Sequence, residues 1–458
     1  MSEATSRRPN FIIFYTDDQG YGDLSCMGAT DMATPHLDAV AASGARFTSW
    51  YSNSPVCSPS RGSVLTGRYP MHAGVRSILA GHRQATGLPQ TTPTIATALK
   101  SLGYRTALFG KWHLGVAESA MPHHHGFDEW FGFLAGCIDY YSHIFYWGIG
   151  GGVDPVHDLW DNGREIWDNG RYFTHLITER TVDYIDRMAA SDDEAPFFLF
   201  VGYNAPHYPM HAPQEYLDRF PGLPWDRRIM AAMLSAVDDS VGAILAALER
   251  HGLRDNTCIF FQSDNGPSRE TRNWLDGTKD PYYGGTTGKL KGHKFSLYDG
   301  GIRMPALMSW PGVIPAGLVL DGVGAAMDVF PTFLKAAGGA PDAYELDGRD
   351  VLPMVVSGAD SPHEQIFWEM GKQTAVRRGP WKLVLNGQLV EGAPPEDAVH
   401  LANLDDDMAE RVNLKDTHPD LAAELKRAAE QWRAGLDSYW AEHHEKKPNG
   451  LTGHATRG

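Results

Sequence analysis

Apolar residues along the chain gather into short continuous runs, and each run breaks off into a polar cluster. Asn10–Tyr15 leads into Asp17-Asp18-Gln19-Gly20, and Arg105–Phe109 into Gly110-Lys111-Trp112-His113. Phe197–Tyr203 leads into Asn204-Ala205-Pro206-His207, and Thr257–Gln262 into Ser263-Asp264-Asn265-Gly266. Runs of Phe, Ile, Leu and Val without alternation suit strands covered on both faces. Between them the pattern turns helical. Thr34–Ala42 and Thr94–Leu102 each open on a capping Thr. Asp226–His251 places Ile229, Met233, Val237, Val241, Ile244 and Leu248 on one stripe and stops at Gly252. Alternating strands and helices predict an α/β fold with a doubly wound sheet. Ligands of such sheets bind beyond the carboxyl ends of the strands, where all four polar clusters fall.

Near Ser357–Pro362 the texture changes. Gln365–Glu369 and Lys382–Leu385 read as short strands, and Pro419–Leu436 as a charged helix. The pattern predicts an N-terminal catalytic domain over 1–360, a smaller C-terminal subdomain over 361–445 and a flexible tail over 446–458.

Composition narrows the partners. With 458 residues, 42% of them apolar, the chain can bury a sizeable core. Its 40 Lys and Arg against 56 Asp and Glu leave a charge of −16, which repels polyanions. Neither nucleic acid nor a membrane is therefore expected as a partner, and an anionic substrate needs a local basic pocket. No apolar run approaches the roughly 18 residues of a membrane span. Phe11–Tyr15 is shorter than the roughly 7–15 residues of a secretory core and is read as a first strand. Cys26, Cys57, Cys137 and Cys258 are too few and too scattered for a disulfide framework or a CxxC metal site. A reduced, cytoplasmic setting is the expectation.

The chemistry concentrates at Cys57-Ser58-Pro59-Ser60-Arg61. Pro59 suits the first turn of a helix and Ser58 its cap, which would hold Cys57 at the positive end of the dipole with Arg61 one turn along. Such a setting depresses a thiol pKa and stabilises an anion; an ordinary buried cysteine is the alternative. Asp17, Asp18, Asp264 and Asn265 are hard oxygen donors at two strand ends and suit Ca²⁺ or Mg²⁺, although a lone Asp-Asp pair is as readily a solvated loop. Arg61, Lys111 and Lys294 can form the local basic pocket. His113 and His207 are candidates for proton transfer, or, taken singly, core histidines.

The continuation Leu65-Thr66-Gly67 makes this stretch resemble the signature of type I sulfatases, in which the cysteine is oxidised to Cα-formylglycine. Gly110–Gly115, Pro206-His207-Tyr208-Pro209, Ser263–Gly266 and Gly292–Pro305 match the same family in the same order. One departure is Asp299, where Glu is usual. The resemblance implies an alkaline-phosphatase-like sandwich: a large central mixed sheet flanked by helices, plus a smaller C-terminal α+β subdomain with a short antiparallel sheet. It implies a formylglycine at position 57, made by a maturation enzyme, and Ca²⁺ rather than Mg²⁺ held by Asp17, Asp18, the modified Cys57, Asp264 and Asn265. It further implies a gem-diol nucleophile whose proton Asp264 receives, a sulfate oriented by Arg61 and Lys111, and a leaving alcohol protonated by His207 with Lys294. His113 would deprotonate the second hydroxyl so that sulfate is released.

For the substrate, His125–Phe133 followed by Asp139-Tyr140-Tyr141-Ser142-His143 resembles the subgroup that contains arylsulfatase B, an N-acetylgalactosamine-4-sulfatase. Trp147, Trp160 and Trp167 follow amid Gly and Asp, where flat aromatic faces suit sugar rings or form a small core of their own. Asp139, Tyr140, His143 and Trp147 are the expected substrate contacts. His123-His124-His125 is not expected to hold a metal, because consecutive residues do not face one ion. The reading is a sulfatase acting on a small sulfated carbohydrate, with aryl sulfates as promiscuous substrates. A phosphonate monoester hydrolase or phosphodiesterase of the same superfamily, and a non-catalytic carbohydrate-binding relative, are the alternatives.

Overall fold

The computed structural model describes residues 8–146, 155–269 and 283–445; Trp147 and the expected tail lie outside them. Ten strands make the principal sheet: β1 (Asn10–Thr16), β2 (Ala45–Phe47), β3 (Arg105–Lys111), β4 (Glu129–Phe133), β5 (Trp160–Asp161), β6 (Arg164–Glu165), β7 (Phe197–Gly202), β8 (Thr257–Ser263), β9 (Ala306–Ser309) and β10 (Leu318–Leu320). They lie in the order β10-β2-β9-β8-β1-β7-β3-β4-β5-β6. The five central strands from β8 to β4 are parallel, while β9 and β5 flank them antiparallel. Every residue of β1, β7 and β8 is buried, which explains apolar runs with no alternation. In register, Tyr15 lies beside Gly202 and Gln262, so β1, β7 and β8 end at one level and their polar clusters meet.

Six helices complete this layer structure: α1 (Pro35–Ala42), α2 (Cys57–Thr66), α3 (Ile95–Ser101), α4 (Phe173–Ala190), α5 (Trp225–Arg250) and α6 (Val329–Ala336). Phe14, Val201 and Phe109 share one face, and Phe109 meets Tyr184 of α4. Phe11, on the opposite face, stacks on Phe333 of α6. The sheet is therefore covered on both sides. All six stripe residues of α5 are buried. By length and composition α5 could cross a membrane, but 78% of its most apolar stretch is buried inside the protein.

The two capping threonines differ. Thr94 caps α3 reciprocally with Thr97, each hydroxyl accepting the other's amide N–H. Thr34 does not cap α1. Its hydroxyl is engaged by Ser25 and Asp38, and Asp238 of α5 accepts the His36 and Leu37 amides instead. A helix N-terminus needs acceptors, and here a distant carboxylate supplies them.

Beyond residue 361 four strands, β11 (Ile366–Met370), β12 (Gln373–Arg378), β13 (Trp381–Gly387) and β14 (Asp397–Asn403), form an antiparallel sheet in sequence order. Helix α7 (Pro419–Trp440) seals one face with Ala422, Leu425 and Ala429 against Val376, Leu383 and Leu401. The other face packs Trp368, Ala375 and Val384 against Tyr51, Leu297, Tyr298 and Ile302. Asp299 is central to this seam. Its carboxylate accepts from Lys382 at 2.6 Å, Tyr51 at 3.0 Å and Arg303 at 3.1 Å. Burial opposes ionisation of Asp299, but Lys382 and Arg303 outweigh it and hold its pKa low. The shorter acid at this position thus remains fully paired.

Candidate active site

Helix α2 begins at Cys57 itself, after an extended Val56. The thiol sits in the first turn, 3.5 Å from Asp17 Oδ1. Ser58 is not the cap. Its hydroxyl accepts the Leu79 amide at 3.1 Å, and the Leu79 carbonyl faces His113 Nε2 at 3.4 Å. The backbone of one residue, Leu79, therefore ties the nucleophile's helix to His113. The expected depression of the thiol pKa is also reversed: burial pushes Cys57 well above its ordinary value, although Lys111 and Lys294 pull the other way. With the thiol 2% exposed, desolvation exceeds the dipole's help.

Around Cys57 three buried carboxylates face three buried cations. Lys111, at the end of β3, pairs with Asp17 beyond β1. Arg61 donates to Asp264 Oδ2 at 3.1 Å and to the Lys111 carbonyl at 3.2 Å, with Asp17 Oδ2 at 3.9 Å. Lys294 donates to Asp18 Oδ2 at 2.8 Å. The set is neutral as it stands. Burial and the adjacent Asp17 carboxylate push the Asp264 carboxyl up, whereas at Asp18 the Lys294 ammonium outweighs burial and holds the pKa down.

The donor set fits a hard divalent cation. Asp17, Asp18, Cys57 and His207 each bring one ligand atom within 4.8 Å of the others. Asp264 adjoins them through its Oδ1, which accepts the Asp18 amide at 3.1 Å. Asn265 Nδ2 donates to Asp18 Oδ1 at 2.7 Å, while its Oδ1 is buried without a hydrogen-bond partner among the described residues. An unpartnered amide oxygen beside three carboxylates is a donor set that suits a hard divalent cation. Asp18 is held at φ 61°, a left-handed conformation that brings its side chain and amide into this cluster.

His207 and Lys294 both stand against Asp18. His207 Nδ1 hydrogen-bonds the Tyr208 carbonyl at 2.6 Å, so Nδ1 carries the proton and Nε2 accepts from Lys294 at 3.3 Å. Asp18 Oδ2 lies 3.6 Å from the same nitrogen. Burial draws the His207 pKa down to about 3. Burial, with Lys111 and Arg61, also holds His113 well below its usual value. With Nε2 spent on Leu79, His113 keeps a buried Nδ1 without a partner.

The structure thus brings together Asp17, Asp18, Cys57, Arg61, Lys111, His113, His207, Asp264, Asn265 and Lys294. It does not bring every expected substrate contact with them. Tyr140 is fully buried, its hydroxyl donating to the Asn204 and His207 carbonyls at 2.8 and 2.9 Å. Its hydroxyl is thus spent on supporting the His207 turn. His143 is likewise fully buried, bonded to the Arg171 carbonyl. Asp139 spends one oxygen on the Tyr141 and Ser142 amides and holds the other 3.4 Å from His211. Trp160 is buried beneath Arg83, whereas Trp167 is exposed and stacked on His157. Contrary to the expectation that consecutive histidines cannot face one ion, His123 and His124 both reach Glu118, at 3.6 and 3.0 Å, and the three bring their ligand atoms within 4.8 Å of one another. Sequence reading missed Gly136, where an added Cβ would lie 2.9 Å from the His113 ring. Only the folded chain shows why that position carries no side chain.

Residues 9–340 match the sulfatase family. N-acetylgalactosamine-6-sulfatase of Mus musculus is 35% identical over 390 residues, covering 82% of this chain and 71% of that protein. Arylsulfatase J of Mus musculus is 31% identical over 94% of this chain and 76% of its own length. Among solved structures, Ps i-CgsB in complex with k-i-k-neocarrahexaose superposes with a TM-score of 0.82 at 30% identity, over 93% of each chain. PsFucS1 sulfatase from Pseudoalteromonas sp., 24% identical, shares the fold with a TM-score of 0.76 over 94% of this chain and 91% of its own. The mixed sheet, its flanking helices and the small C-terminal sheet are the alkaline-phosphatase-like architecture of these sulfatases.

Proposed function

The chain belongs to the type I sulfatase family, whose members are sulfuric ester hydrolases, and from that premise we propose that it removes sulfate from a sulfated carbohydrate. In this reading Cys57 is matured to formylglycine by a separate enzyme, and Asp17, Asp18, Asp264 and Asn265 with the modified residue hold one Ca²⁺. The observation that carries it is the buried cluster itself: Cys57 on a helix N-terminus, three carboxylates balanced by Arg61, Lys111 and Lys294, and an unpartnered Asn265 oxygen. When bound, the cation would supply two positive charges and polarise the oxygens it touches. Hydrated, the aldehyde at position 57 would offer an oxygen nucleophile and a second hydroxyl through which sulfate can be released.

The chain's own residues do the rest. The neutral cluster becomes net positive once loaded, which gives an acidic protein a local anion site. Arg61 and Lys111 orient the sulfate, and Asp264 takes the nucleophile's proton. Lys294 holds a proton at Nζ between Asp18 and His207 Nε2, and this pair delivers it to the leaving alcohol. His113 Nδ1, without a hydrogen-bond partner among the described residues, is the remaining base. The carbohydrate reading is supported by relatives named for galactosamine sulfates and by one solved with an oligosaccharide.

Peptide mass spectrometry of active protein tests the maturation, and formylglycine at position 57 is the expected result. Rates on 4-nitrophenyl sulfate and on 4-nitrophenyl phenylphosphonate, measured side by side, test the reaction. Faster hydrolysis of the phosphonate ester would replace this reading with the phosphonate hydrolase. A screen of defined sulfated mono- and oligosaccharides then identifies the sugar.

A further inference from the structure

We infer that Gln373, on the C-terminal sheet, is the residue that positions Lys294 for its work on the leaving group. The inference rests on the reading of Lys294 given above. Gln373 opens β12 and is 1% exposed. Its carboxamide donates through Nε2 to the Phe295 carbonyl at 2.7 Å. Through Oε1 it accepts the Leu297 amide at 3.2 Å and the Gln388 amide, just beyond β13, at 3.0 Å. One side chain thus stitches the two peptide units that follow Phe295 to the C-terminal sheet.

The segment needs such a clamp. Phe295 has φ 71°, a left-handed conformation that a bulky residue adopts only when its surroundings enforce it. On its amino side the Lys294 amide is bonded to the Pro267 carbonyl at 3.1 Å, and the Phe295 amide to the Pro55 carbonyl at 3.0 Å. Pro55 lies two residues before Cys57, so this half of the anchorage belongs to the nucleophile's own surroundings. On the carboxyl side the Phe295 carbonyl and the Leu297 amide both go to Gln373. Without it the turn can relax toward an ordinary φ, and Lys294 Nζ would leave its place between Asp18 and His207. Gln373 touches no reacting atom. It is a positioning residue, and through it the small sheet completes the catalytic one.

The test compares Gln373→Met, which keeps the length of the side chain and removes its hydrogen bonds, with Lys294→Met and the double variant. Each is matured in one host, with the formylglycine fraction measured, and assayed on phenyl sulfate and 4-nitrophenyl sulfate. For Gln373→Met we expect kcat on phenyl sulfate to fall about 10- to 100-fold, a fraction of the loss from deleting an acid outright. On 4-nitrophenyl sulfate, whose leaving group needs little protonation, kcat should change less than about 3-fold, with KM nearly constant. The double variant should lose no more than Lys294→Met alone. Independently of activity, amide hydrogen exchange across Phe295–Leu297 should quicken at least about 10-fold while β1 is unchanged. A merely space-filling role predicts that Met rescues Gln373→Ala and that exchange stays as in the native chain; that result overturns the inference. Lys294→Met without leaving-group preference would overturn the reading of Lys294 and leave the exchange measurement to decide on Gln373. If Gln373→Met does not fold, Gln373→Asn, one methylene too short to span both peptide units, is expected to show the same two signatures, and their absence there is equally decisive.

Discussion

On the nucleophile side of the site, Cys57, Arg61, Lys111, Asp17 and Asp264 project from the first turns of α2 and the ends of β1, β3 and β8. Those elements are the centre of the main sheet and its core, so the groups are fixed by the packing that holds the whole protein. On the leaving-group side, His207 and Lys294 stand on loops. Their places depend in part on hydrogen bonds from distant side chains: Tyr140 beneath His207, and Gln373 behind Lys294. Strand ends give precision at no extra cost, because burial of the strand already fixes the backbone. Loops must be clamped, and the clamps come from elsewhere in the chain. Damage to the first side should therefore affect every substrate alike. Damage to the second should register only when the leaving group needs a proton.

The largest effect expected is that of Cys57→Ala, which should lower kcat more than about 10³-fold on phenyl and 4-nitrophenyl sulfate equally. Nothing in the core is emptied, so the thermal midpoint should hold. A residual rate with a marked preference for one leaving group would break the division between the two sides. Removing the metal comes next. Exhaustive chelation should abolish activity on both esters and, if the cation is bound at about 100 times its Kd, remove about 2.7 kcal/mol of stability, read as a lower midpoint restored by Ca²⁺. Undiminished activity in protein shown to be metal-free would dismiss the cation site.

His207→Ala or Lys294→Ala should then separate the substrates. Loss of about 10²–10⁴-fold is expected for sugar sulfates and phenyl sulfate, with far less for 4-nitrophenyl sulfate. Equal losses would mean that these groups serve the nucleophile instead. Gly136→Ala sharpens the same contrast from the other side. An added methyl 2.9 Å from His113 must displace that ring, so both esters should slow to the same extent, by about 10-fold.

How much of this was legible in the sequence follows the same division. The strand-end clusters could be read because ligand and nucleophile residues lie within a few positions of the apolar runs that carry them. The supports could not. Gln373, Tyr140 and Leu79 act through backbone amides and carbonyls far away in the chain, and no residue type announces such a partner. Ser58 reads as the cap of α2 because it precedes Pro59, but the helix starts two residues earlier, at Cys57, and leaves the Ser58 hydroxyl for Leu79. The thiol pKa of Cys57 went the other way because local sequence reports a helix start and says nothing of burial. Tyr140 read as a sugar contact for a similar reason. An aromatic residue with a hydroxyl looks the same in sequence whether it faces a sugar or a carbonyl.

Tyr140 carries the smallest and most discriminating prediction. Its ring stacks on Tyr172 at 5.4 Å, and its hydroxyl bridges the Asn204 and His207 carbonyls. Tyr140→Phe keeps the ring and its packing and removes only the bridge. Both carbonyls lose a buried partner, which should cost about 1–3 kcal/mol of stability. The 204–207 turn is still held by its own His207 amide to Asn204 carbonyl bond at 2.9 Å, so His207 should shift by a fraction of an ångström and not swing away. The expected consequence is a loss of about 3- to 10-fold on phenyl sulfate with almost none on 4-nitrophenyl sulfate, the pattern of His207→Ala at reduced scale. If Tyr140 contacted the sugar directly, the variant would instead raise KM for sugar sulfates and leave both aryl sulfates untouched. Measured kcat and KM on the three substrates distinguish support of the acid from contact with the substrate.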